Sequence, residues 1–587
     1  MRFSLGMRFS YRNFQAAVLV VTISLYLDCS KADNQMEEGG GKGKRDLGEA
    51  AGEISATDMP ERVKSMFYHG FGNYIRHAFP HDELKPLSAG YTDSLAELGN
   101  LNLENLSSHY KGVALTLVDS LSTLAVLGDA ETFSAGVLWL EGNLSFDQDV
   151  RVNIFEANIR LLGGLLSAHL LASDDRLSLM PDYEGGLLPL AEDLARRLLP
   201  AFSASPTGLP YAWVNLRHGV REGETAETNT AACGSLILEM GMLSRLTGQP
   251  IYERVARRAV LALWAMRSGH DLLGAALNMS DASWIGTSGG IGAGSDSFYE
   301  YMLKAYILFG DEEYYTIFQR AYLAAIQSYR SGPWYHDADI RTAQPTHLQF
   351  TSLQAFWPGL QVLVGDLSFA KDTFRSFFSV WERFGLLPER FQWDTMELHP
   401  TERYYPLRPE LIESAYHLYA ATGDTAYRDA GRRMAKAINR YAKVGSGYAS
   451  IRSVATMERE DHMHSFFLAE TCKYLYLLFN DTFLQGGDYI FTTEGHLFPV
   501  HRARSRPLWP STGTAAHALS DGHGSRRSAL ESRVCPNPSG KHPRSSCFVP
   551  DRHIDHRCAG QKDCGVDGHT CIQRECSAFG YCLMLLF

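Results

Sequence analysis

Apolar residues recur along most of this chain at the spacing of an amphipathic helix. From residue 61 onward, apolar and aromatic side chains return every three or four positions, beginning with Val63, Met66, Phe67, Phe71, Tyr74 and Ile75. That period is typical of helices with one buried face, whereas the alternation typical of strands is scarce. The pattern predicts an all-α fold.

Glycine ends one helical stretch after another, and a residue suited to helix capping often follows it. Glycine tolerates the left-handed conformation at a helix C-terminus, and aspartate caps the next helix. The junctions are Leu127-Gly128-Asp129, Thr247-Gly248-Gln249-Pro250, Phe309-Gly310-Asp311, Val364-Gly365-Asp366 and Thr422-Gly423-Asp424. The last four glycines recur at intervals of about 55 to 62 residues, which suits one helical hairpin per interval.

Repeats of this length predict either an open solenoid or a closed ring of helical hairpins. The segments between hairpins are long and rich in polar residues, over 203–230, 278–297, 330–350 and 385–408. A solenoid would have shorter and more uniform turns, and long ordered connections gathered at one end of a barrel usually build a functional site. We therefore favour an (α/α) barrel.

Both ends of the chain differ from this helical middle. Residues 1–32 carry arginines ahead of a short apolar run, which predicts a signal peptide, with an uncleaved signal anchor as the alternative. No later stretch is expected to cross a membrane. The remaining segments are predicted as a disordered linker over 33–58, the helical barrel over 59–503, a second linker over 504–533 and a cysteine-rich tail over 534–587.

Composition limits which cellular compartments and which partners are compatible with this chain. The net charge is −11 without a basic stripe, which argues against nucleic acid as a partner. Cys233 and Cys472 lie in the middle of the chain, whereas seven of the ten cysteines crowd the tail and predict disulfide bonds formed in an oxidising compartment. A glycoprotein of the secretory pathway fits the Asn-x-Ser/Thr sites at Asn105, Asn143, Asn278 and Asn480.

Several acids lie inside otherwise apolar helices. Glu156 and Arg160 share one helix face, which suits a general acid but also an internal Glu–Arg pair. Asp296 begins a helix after a glycine-rich entry, where a capping role explains it equally well. Glu470 lies in another apolar helix. Such acids are costly unless they meet in a hydrated or metal-bound cavity, so their recurrence favours a funnel lined with carboxylates.

Residues 405–414 place two carboxylates and a guanidinium at the start of a helix. Pro409 suits the first helical turn, and Glu410 and Glu413 lie three apart at its positive end. Arg408 lies just outside that end. Taken alone, the arrangement fits a surface salt-bridge cluster as well as a polar pocket.

A set of acids of this kind points to glycoside hydrolysis. That reaction needs one acid on the leaving oxygen and a second carboxylate on the other face of the sugar ring. The sequence contains no zinc-type His/Cys spacing, no glycine-rich phosphate loop and no nucleophilic Ser or Cys motif. A hard, oxygen-seeking cation such as Ca²⁺ is the metal consistent with a carboxylate-rich site.

Over residues 61 to 500 the chain resembles the class I α-1,2-mannosidases, glycoside hydrolase family 47, and within that family the ER degradation-enhancing α-mannosidase-like proteins. The strings that carry the resemblance include Phe155-Glu156-Ala157, Asn158-Ile159-Arg160, Gly208-Leu209-Pro210-Tyr211, Asp296-Ser297-Phe298-Tyr299-Glu300-Tyr301, Leu387-Pro388-Glu389-Arg390, Tyr405-Pro406-Leu407-Arg408-Pro409-Glu410, Phe466-Phe467-Leu468-Ala469-Glu470-Thr471 and Thr493-Glu494-Gly495-His496.

The resemblance implies an (α/α)7 barrel and an inverting mechanism. It implies that Glu156 acts as an acid on the leaving oxygen, directly or through a water, and that Asp296 and Glu410 form the other acidic pair, with Glu410 as the base. Thr493 would bind Ca²⁺ through its backbone carbonyl and its hydroxyl. Mannose and the calcium-bound waters would be held by Arg160, Glu389, Arg408, Glu413 and Glu470.

The chain departs from the family pattern at several positions. Ser122 and His464 stand where acidic residues are usual. The cysteines that relatives of the degradation-enhancing type carry near Ala89 and Ser446, and that are thought to pair, are absent. The tail beyond about residue 505 is expected to have no counterpart in that resemblance.

The resemblance implies trimming of α-1,2-linked mannose from high-mannose N-glycans on misfolded glycoproteins in the lumen of the endoplasmic reticulum. Trimming would commit these proteins to degradation, with an oxidoreductase or an adaptor of that pathway as a partner. The alternatives are a non-catalytic mannose-binding receptor on the same fold and a secreted hydrolase whose tail binds a separate partner. Contact with the membrane is expected only if the N-terminal segment is not cleaved.

Overall fold

A computed structural model describes residues 58–100, 110, 112–485 and 487–505. Within these ranges, fourteen long helices alternate between an outer and an inner ring and form an (α/α)7 barrel, as expected. The predicted signal segment, almost all of the first linker, and the cysteine-rich tail lie outside the described residues.

Odd-numbered helices form the outer ring and even-numbered helices form the inner ring. In chain order they are α1 Met59–His77, α2 Leu115–Leu127, α3 Ala130–Asn143, α4 Ile154–Ala172, α5 Leu187–Leu198, α6 Ile237–Thr247, α7 Ile251–Ala265, α8 Asp296–Phe309, α9 Glu312–Ser328, α10 Trp357–Val364, α11 Leu367–Phe384, α12 Glu410–Thr422, α13 Thr425–Tyr441 and α14 over 467–479. Shorter helical turns lie at Ser94–Gly99, Pro200–Ser203, Thr230–Gly234, Ser352–Phe356, Thr482–Leu484 and Val500–Arg504.

Packing between the two ends of the described chain closes the barrel. The last inner helix, α14, packs against the first outer helix, α1, and against the first inner helix, α2. Every residue of α2 is buried, because an inner helix has helices on all sides. Outer helices such as α13 instead bury one stripe and expose the other.

The glycine junctions between inner and outer helices are confirmed. The five glycines adopt φ values between 66° and 88°, in the left-handed region. Asp129, Asp311 and Asp424 then cap the following outer helices by accepting hydrogen bonds from backbone amides. Asp366 accepts a hydrogen bond from the Tyr322 hydroxyl at 2.9 Å.

Short antiparallel strands occupy much of the connections from outer to inner helices. Each strand is two to four residues long, so the scarcity of strand-type alternation in the sequence agrees with the structure. They pair into sheets of two or three strands. The strands are β1 Glu83–Lys85, β2 Gly90–Thr92, β3 Arg151–Asn153, β4 Trp213–Asn215, β5 Glu227–Asn229, β6 Ala276–Asn278, β7 Ser283–Trp284, β8 Ser288–Gly289, β9 Arg330–Ser331, β10 Trp334–Tyr335, β11 Asp337–Asp339, β12 Pro345–His347, β13 Gln349–Thr351, β14 Arg390–Gln392, β15 Glu397–Leu398, β16 Lys443–Val444, β17 Gly447–Tyr448, β18 Ser450–Ser453, β19 Glu458–Glu460, β20 Tyr489–Phe491 and β21 Leu497–Pro499.

The hairpin of β20 and β21 enters the inner ring and plugs it. It packs against α4 and α8. The backbone of Leu497 exchanges two hydrogen bonds with the Ser167 hydroxyl of α4, at 3.0 and 3.1 Å. His496, just before β21, is fully buried. This plug places the turn at 492–496 in the centre of the barrel.

Two glycines in α4 leave room for the plug. A methyl group on Gly163 would lie 3.0 Å from His496 Cδ2, and one on Gly164 would lie 2.7 Å from Val118 Cγ1 and 3.0 Å from the Val118 carbonyl oxygen. Contacts this short require movement of the inner helices or of the plug.

Replacing Gly164 with alanine is expected to lower the free energy of unfolding by about 1–3 kcal/mol, because the added methyl overpacks the junction of α2 and α4. Chemical denaturation measures the change. The control is Gly269→Ala, since Gly269 has open space around its Cα and a φ outside the left-handed region. Equal stability of the two variants would contradict tight packing at Gly164.

The expectation that no stretch after the N-terminal segment could cross a membrane is wrong when helices are judged by length and composition alone. Helix α4, Ile154–Ala172, is long and apolar enough to cross a bilayer. It belongs to the inner ring, and most of it is buried inside the barrel, so its apolar character is explained by core packing.

The two positions of this chain that lack the cysteines implied by the family resemblance lie on neighbouring hairpins. Ala89 lies between β1 and β2, and Ser446 lies between β16 and β17. A methyl group on Gly447 would lie 2.9 Å from Leu84 Cδ2, so these hairpins pack directly against each other. Noncovalent contacts join them in this chain.

Candidate active site

The predicted acids lie at one end of the barrel. The connections that carry the strands lead into the N-termini of inner helices, so those N-termini share that end. Glu156 is the third residue of α4, whereas Asp296 and Glu410 are the first residues of α8 and α12. Glu470 lies in the opening turn of α14. The positive ends of four helix dipoles therefore face these carboxylates.

Arg160 joins two acids from different segments. Its Nε donates to Glu156 Oε2 at 2.8 Å, and its Nη1 lies 3.3 Å from Oε1 of Glu494, which follows Thr493 in the plug. The Glu156 side chain keeps 27% of its surface exposed, whereas that of Glu494 keeps 5%. Glu156 is therefore a partly open acid held by a fixed guanidinium.

Two segments of the inner ring depart from α-helical geometry at this point. Residues Ala157–Leu162 of α4 and Phe467–Thr471 of α14 form π-helical turns. They contain Arg160 and Glu470, respectively. Such turns are rare and often mark functional sites, because they shift the side chains of one turn relative to the rest of the helix.

Ser465 extends the Arg160 network to two more buried acids. Its hydroxyl accepts a hydrogen bond from Arg160 Nη1 at 2.9 Å and donates one to Asp119 Oδ2. Its backbone amide donates to Glu83 Oε1 at 2.7 Å. Asp119 lies in α2 and Glu83 in β1, so this single serine ties three separate segments together.

Asp296 and Glu410 are half-buried acids with strongly raised pKa values. Burial raises the pKa of Asp296 to about 7. Burial also raises the pKa of Glu410 to about 7, against the opposing field of Arg408 and with a further contribution from the charge of Asp296. Glu410 Oε2 is buried without a hydrogen-bond partner among the described residues. Both groups can exchange a proton near neutral pH.

Glu389 and Arg408 form a two-pronged ion pair. Arg408 Nε and Nη2 donate to the two carboxylate oxygens of Glu389 at 3.0 and 2.8 Å. The Ser352 hydroxyl donates to the same carboxylate at 2.7 Å. The guanidinium also lies 5.8 Å from the ring centroid of Phe466, over which Arg160 lies at 5.5 Å. Both predicted arginines therefore flank one aromatic ring.

Glu413, Glu470 and Glu494 complete a continuous group of carboxylates. Burial raises the pKa of each, and neighbouring carboxylates add to the effect. Glu300 and then Glu410 act on Glu413, Glu494 and then Glu410 act on Glu470, and Asp119 and then Glu156 act on Glu494. The predicted acids are thus brought together rather than scattered. Close, buried carboxylates repel one another unless protons or a cation neutralise them.

Thr493 lies in the turn between β20 and β21, beside these acids. Its amide donates to the Tyr301 hydroxyl of α8 at 3.3 Å. That hydroxyl donates to Glu239 Oε1 at 2.6 Å, and Asn158 Nδ2 donates to Glu239 Oε2 at 2.8 Å. Three inner-ring segments therefore fix the position of Thr493.

The residues around Thr493 fit a hard cation. Carboxylate, hydroxyl and carbonyl oxygens are the ligands that Ca²⁺ prefers, and the acidic group supplies excess negative charge. The Glu494 carboxylate lies beside the turn, where its Oε1 makes no hydrogen bond among the described residues but lies 3.3 Å from Arg160 Nη1. Thr493, with water and the nearby carboxylates, would hold the ion.

Comparison of the sequence with models of known families identifies the family. The family model described as glycosyl hydrolase family 47 matches residues 66–500. The chain belongs to glycosyl hydrolase family 47.

Relatives of this family-47 chain include plant and animal proteins. The Arabidopsis thaliana protein Alpha-mannosidase I MNS5 is 56% identical over 540 residues, covering 90% of this chain and 94% of its own. The Homo sapiens ER degradation-enhancing alpha-mannosidase-like protein 2 is 41% identical over 459 residues, covering 74% and 76%. The solved α-1,2-mannosidase from Trichoderma reesei is 28% identical with a TM-score of 0.67, covering 76% of this chain and 99% of that one.

These matches identify the family-47 chain as a glycoside hydrolase of the mannosidase type. The family match ends at residue 500, whereas the match to the Arabidopsis thaliana relative covers 90% of this 587-residue chain and therefore extends past residue 505.

Sequence reasoning left several buried charged residues out of the predicted site, among them Glu83, Asp119, Lys473 and Glu494. Asp119 lies mid-helix among apolar residues and Glu494 follows Thr493 directly, so both carried a usable signal. Glu83 and Lys473 reach the site through contacts between distant segments, which no local pattern reveals. The sequence also shows no zinc-type spacing, yet the fold brings Glu83 beside two histidines.

Proposed function

We propose that the chain is an inverting, Ca²⁺-dependent α-1,2-mannosidase that trims high-mannose N-glycans of misfolded glycoproteins in the lumen of the endoplasmic reticulum. The observation that carries the proposal is the group of buried and half-buried carboxylates contributed by separate inner helices at one end of the barrel. The names of the ER degradation-enhancing relatives support the role in degradation and the compartment.

In this proposal the two faces of the sugar meet different acids. Glu156, partly exposed and paired with Arg160, delivers a proton to the leaving oxygen, directly or through a water. Glu410 accepts a proton from the attacking water, and the unpartnered Oε2 of Glu410 suits that role. Asp296 completes the second acidic pair and, with a pKa of about 7, can share the proton.

The remaining predicted residues bind and orient the substrate. Arg408, fixed by Glu389, offers donors to sugar hydroxyls, and Arg160 does the same from the opposite segment. Glu413 and Glu470 accept hydrogen bonds from hydroxyls or from ordered water. Bound Ca²⁺, held by Thr493, supplies an electrostatic anchor for substrate hydroxyls and water.

Release of mannose distinguishes this enzyme from a mannose-binding receptor. Purified protein is incubated with Ca²⁺ and a high-mannose glycan, and free mannose is measured for wild type, Glu156→Gln and the control Glu131→Gln, whose residue is exposed on the outer ring. We expect release by wild type and the control, and loss of release by Glu156→Gln. Glycan binding by the intact wild type without release would support the receptor instead.

The role in degradation has its own test. In cells that lack the gene for this protein, a misfolded glycoprotein is expected to persist longer. Expression of the wild-type protein should restore its turnover. Glu156→Gln should fail to restore it. Restoration by Glu156→Gln would mean that binding, not trimming, drives degradation.

Calcium is expected to stabilise the fold more at pH 7.5 than at pH 5. The folded-state pKa values of Asp296 and Glu410 are raised to about 7, so the folded state binds more protons than the unfolded chain between about pH 4.5 and 7. Stability without metal therefore falls as pH rises through that window. Ca²⁺ replaces these protons, and stabilisation reaches about 2.7 kcal/mol when free Ca²⁺ is a hundred times Kd.

Thermal unfolding with and without Ca²⁺ at both pH values measures this linkage, and Mg²⁺ serves as the control ion. A Ca²⁺ effect that is equal at the two pH values would contradict ion binding among these carboxylates. A Ca²⁺ effect that is larger at pH 5 than at pH 7.5 would also contradict ion binding among these carboxylates.

A further inference from the structure

A second cluster of ligand-type side chains lies beside the carboxylate group. Glu83, His462 and His464 each offer one ligand atom, and these three atoms lie within 4.8 Å of one another. Glu83 Oε2 lies 2.6 Å from His462 Nε2 and 3.8 Å from His464 Nδ1. The imidazole rings of the two histidines lie with their centroids 3.9 Å apart.

Backbone pairing creates this cluster. Met463 pairs with Leu84 in an isolated antiparallel bridge, which holds residues 462–464 extended beside β1. In an extended segment, side chains two apart point to the same face, so His462 and His464 project together. Glu83, next to Leu84 on the partner segment, faces them.

The geometry points to a site for a borderline divalent metal such as Zn²⁺, bound by Glu83, His462 and His464. In tetrahedral coordination, nitrogen and oxygen ligands lie about 2.0–2.2 Å from zinc and hence about 3.4 Å from each other. The two ligand distances from Glu83 Oε2 lie on either side of that value, so small side-chain rotations admit the ion. Imidazole ligands favour zinc over Ca²⁺, which separates this site from the one proposed at Thr493.

The surroundings of the cluster resemble those of a built metal site. Glu83 is 1% exposed, and the Ser465 amide fixes its other oxygen, which orients the ligand oxygen toward the histidines. The side chains of His462 and His464 remain 27% and 29% exposed, which leaves a path for entry and a fourth position for water. His464 also stacks on Phe466 at 4.9 Å, which restrains its ring.

The site borders the Arg160 network. Ser465 contacts Glu83 through its amide and Arg160 through its hydroxyl. Ser465 alone therefore separates the proposed metal site from the guanidinium that holds Glu156. The competing interpretation is a plain ion pair between Glu83 and protonated His462, with His464 as a packing residue. The two interpretations differ in what His464 contributes.

Zinc titration of the full chain distinguishes the metal site from the plain ion pair. The protein is stripped with a chelator, supplied with excess Ca²⁺, and titrated with Zn²⁺ against a chromogenic zinc chelator. We expect one more tight site in the wild type than in His464→Ala. The variant keeps the hydrogen bond between Glu83 and His462, so its fold is expected to persist. The control is His218→Ala, a histidine with 59% of its side chain exposed and outside the cluster.

Any zinc that binds to tail thiols binds in all three proteins, so the comparison cancels that contribution. Substitution with Co²⁺ gives a second readout, since nitrogen and oxygen ligands lack the intense charge-transfer absorption of thiolates. Loss of one tight site without thiolate bands, in His464→Ala but not in His218→Ala, supports the proposal. Identical zinc stoichiometry and affinity in wild type and His464→Ala would overturn it, whether or not mannose is released.

Discussion

Glu410→Gln is expected to lower kcat for mannose release by about 10²–10⁴-fold, the usual contribution of a positioned general base. Glutamine keeps the size of the side chain but cannot accept a proton from water. Glu410 Oε2 is buried without a partner among the described residues, so the fold does not depend on a hydrogen bond to it. Free mannose released from a high-mannose glycan is the readout.

Two controls make this result specific. Glu397→Gln changes an exposed acid in β15 and is expected to leave kcat unchanged. Glycan binding by Glu410→Gln, measured calorimetrically, is expected to persist. If Glu410→Gln retains wild-type kcat, another residue activates the water.

Lys473→Met is expected to lower the free energy of unfolding by about 3–5 kcal/mol, because it leaves buried carboxylates without their cation. The Lys473 ammonium is fully buried and lies in the field of Glu470, Asp119 and Glu494. Its Nζ donates to the Ser122 hydroxyl at 2.9 Å and to the Gly495 carbonyl at 2.6 Å. Gly495 belongs to the turn that carries Thr493, so Ca²⁺ affinity should fall as well.

Chemical denaturation and calcium titration measure the two effects. Lys436→Met, an exposed position on outer helix α13, is the matched control and should change stability by no more than about 0.5 kcal/mol. If Lys473→Met unfolds at the same denaturant concentration as the control, the buried ammonium does not neutralise the acidic group.

The barrel was predictable because its signals are local and repeated. Glycines such as Gly310 and Gly423 end inner helices in the left-handed conformation, and Asp311 and Asp424 cap the next helices, as their sequence context predicts. The number of hairpins and the closure of the ring depend on packing of α14 against α1 and α2. No local pattern encodes that packing, so the sevenfold closure came from the family resemblance.

The candidate site was predictable in part for the same reason. Acids at helix starts, such as Asp296 and Glu410, stand out against apolar neighbours. Their assembly into one group depends on the barrel, and the Glu83–Ser465–Arg160 connection joins residues far apart in sequence. In the sequence, nothing distinguishes Lys473 from an ordinary helical lysine, because only the fold places the plug hairpin beside it. Catalytic roles for the predicted residues remain predictions until the variants are measured.

Proton nuclear magnetic resonance of the first mannose released tests most directly whether opposed acids in this group hydrolyse an α-mannoside. With acids on opposite faces of the sugar and water as the attacking group, an α-linked substrate yields β-mannose first, before mutarotation mixes the anomers. We expect the β anomer to appear first in the presence of Ca²⁺. Initial release of α-mannose, or no release from intact protein with Ca²⁺, would contradict the proposed arrangement.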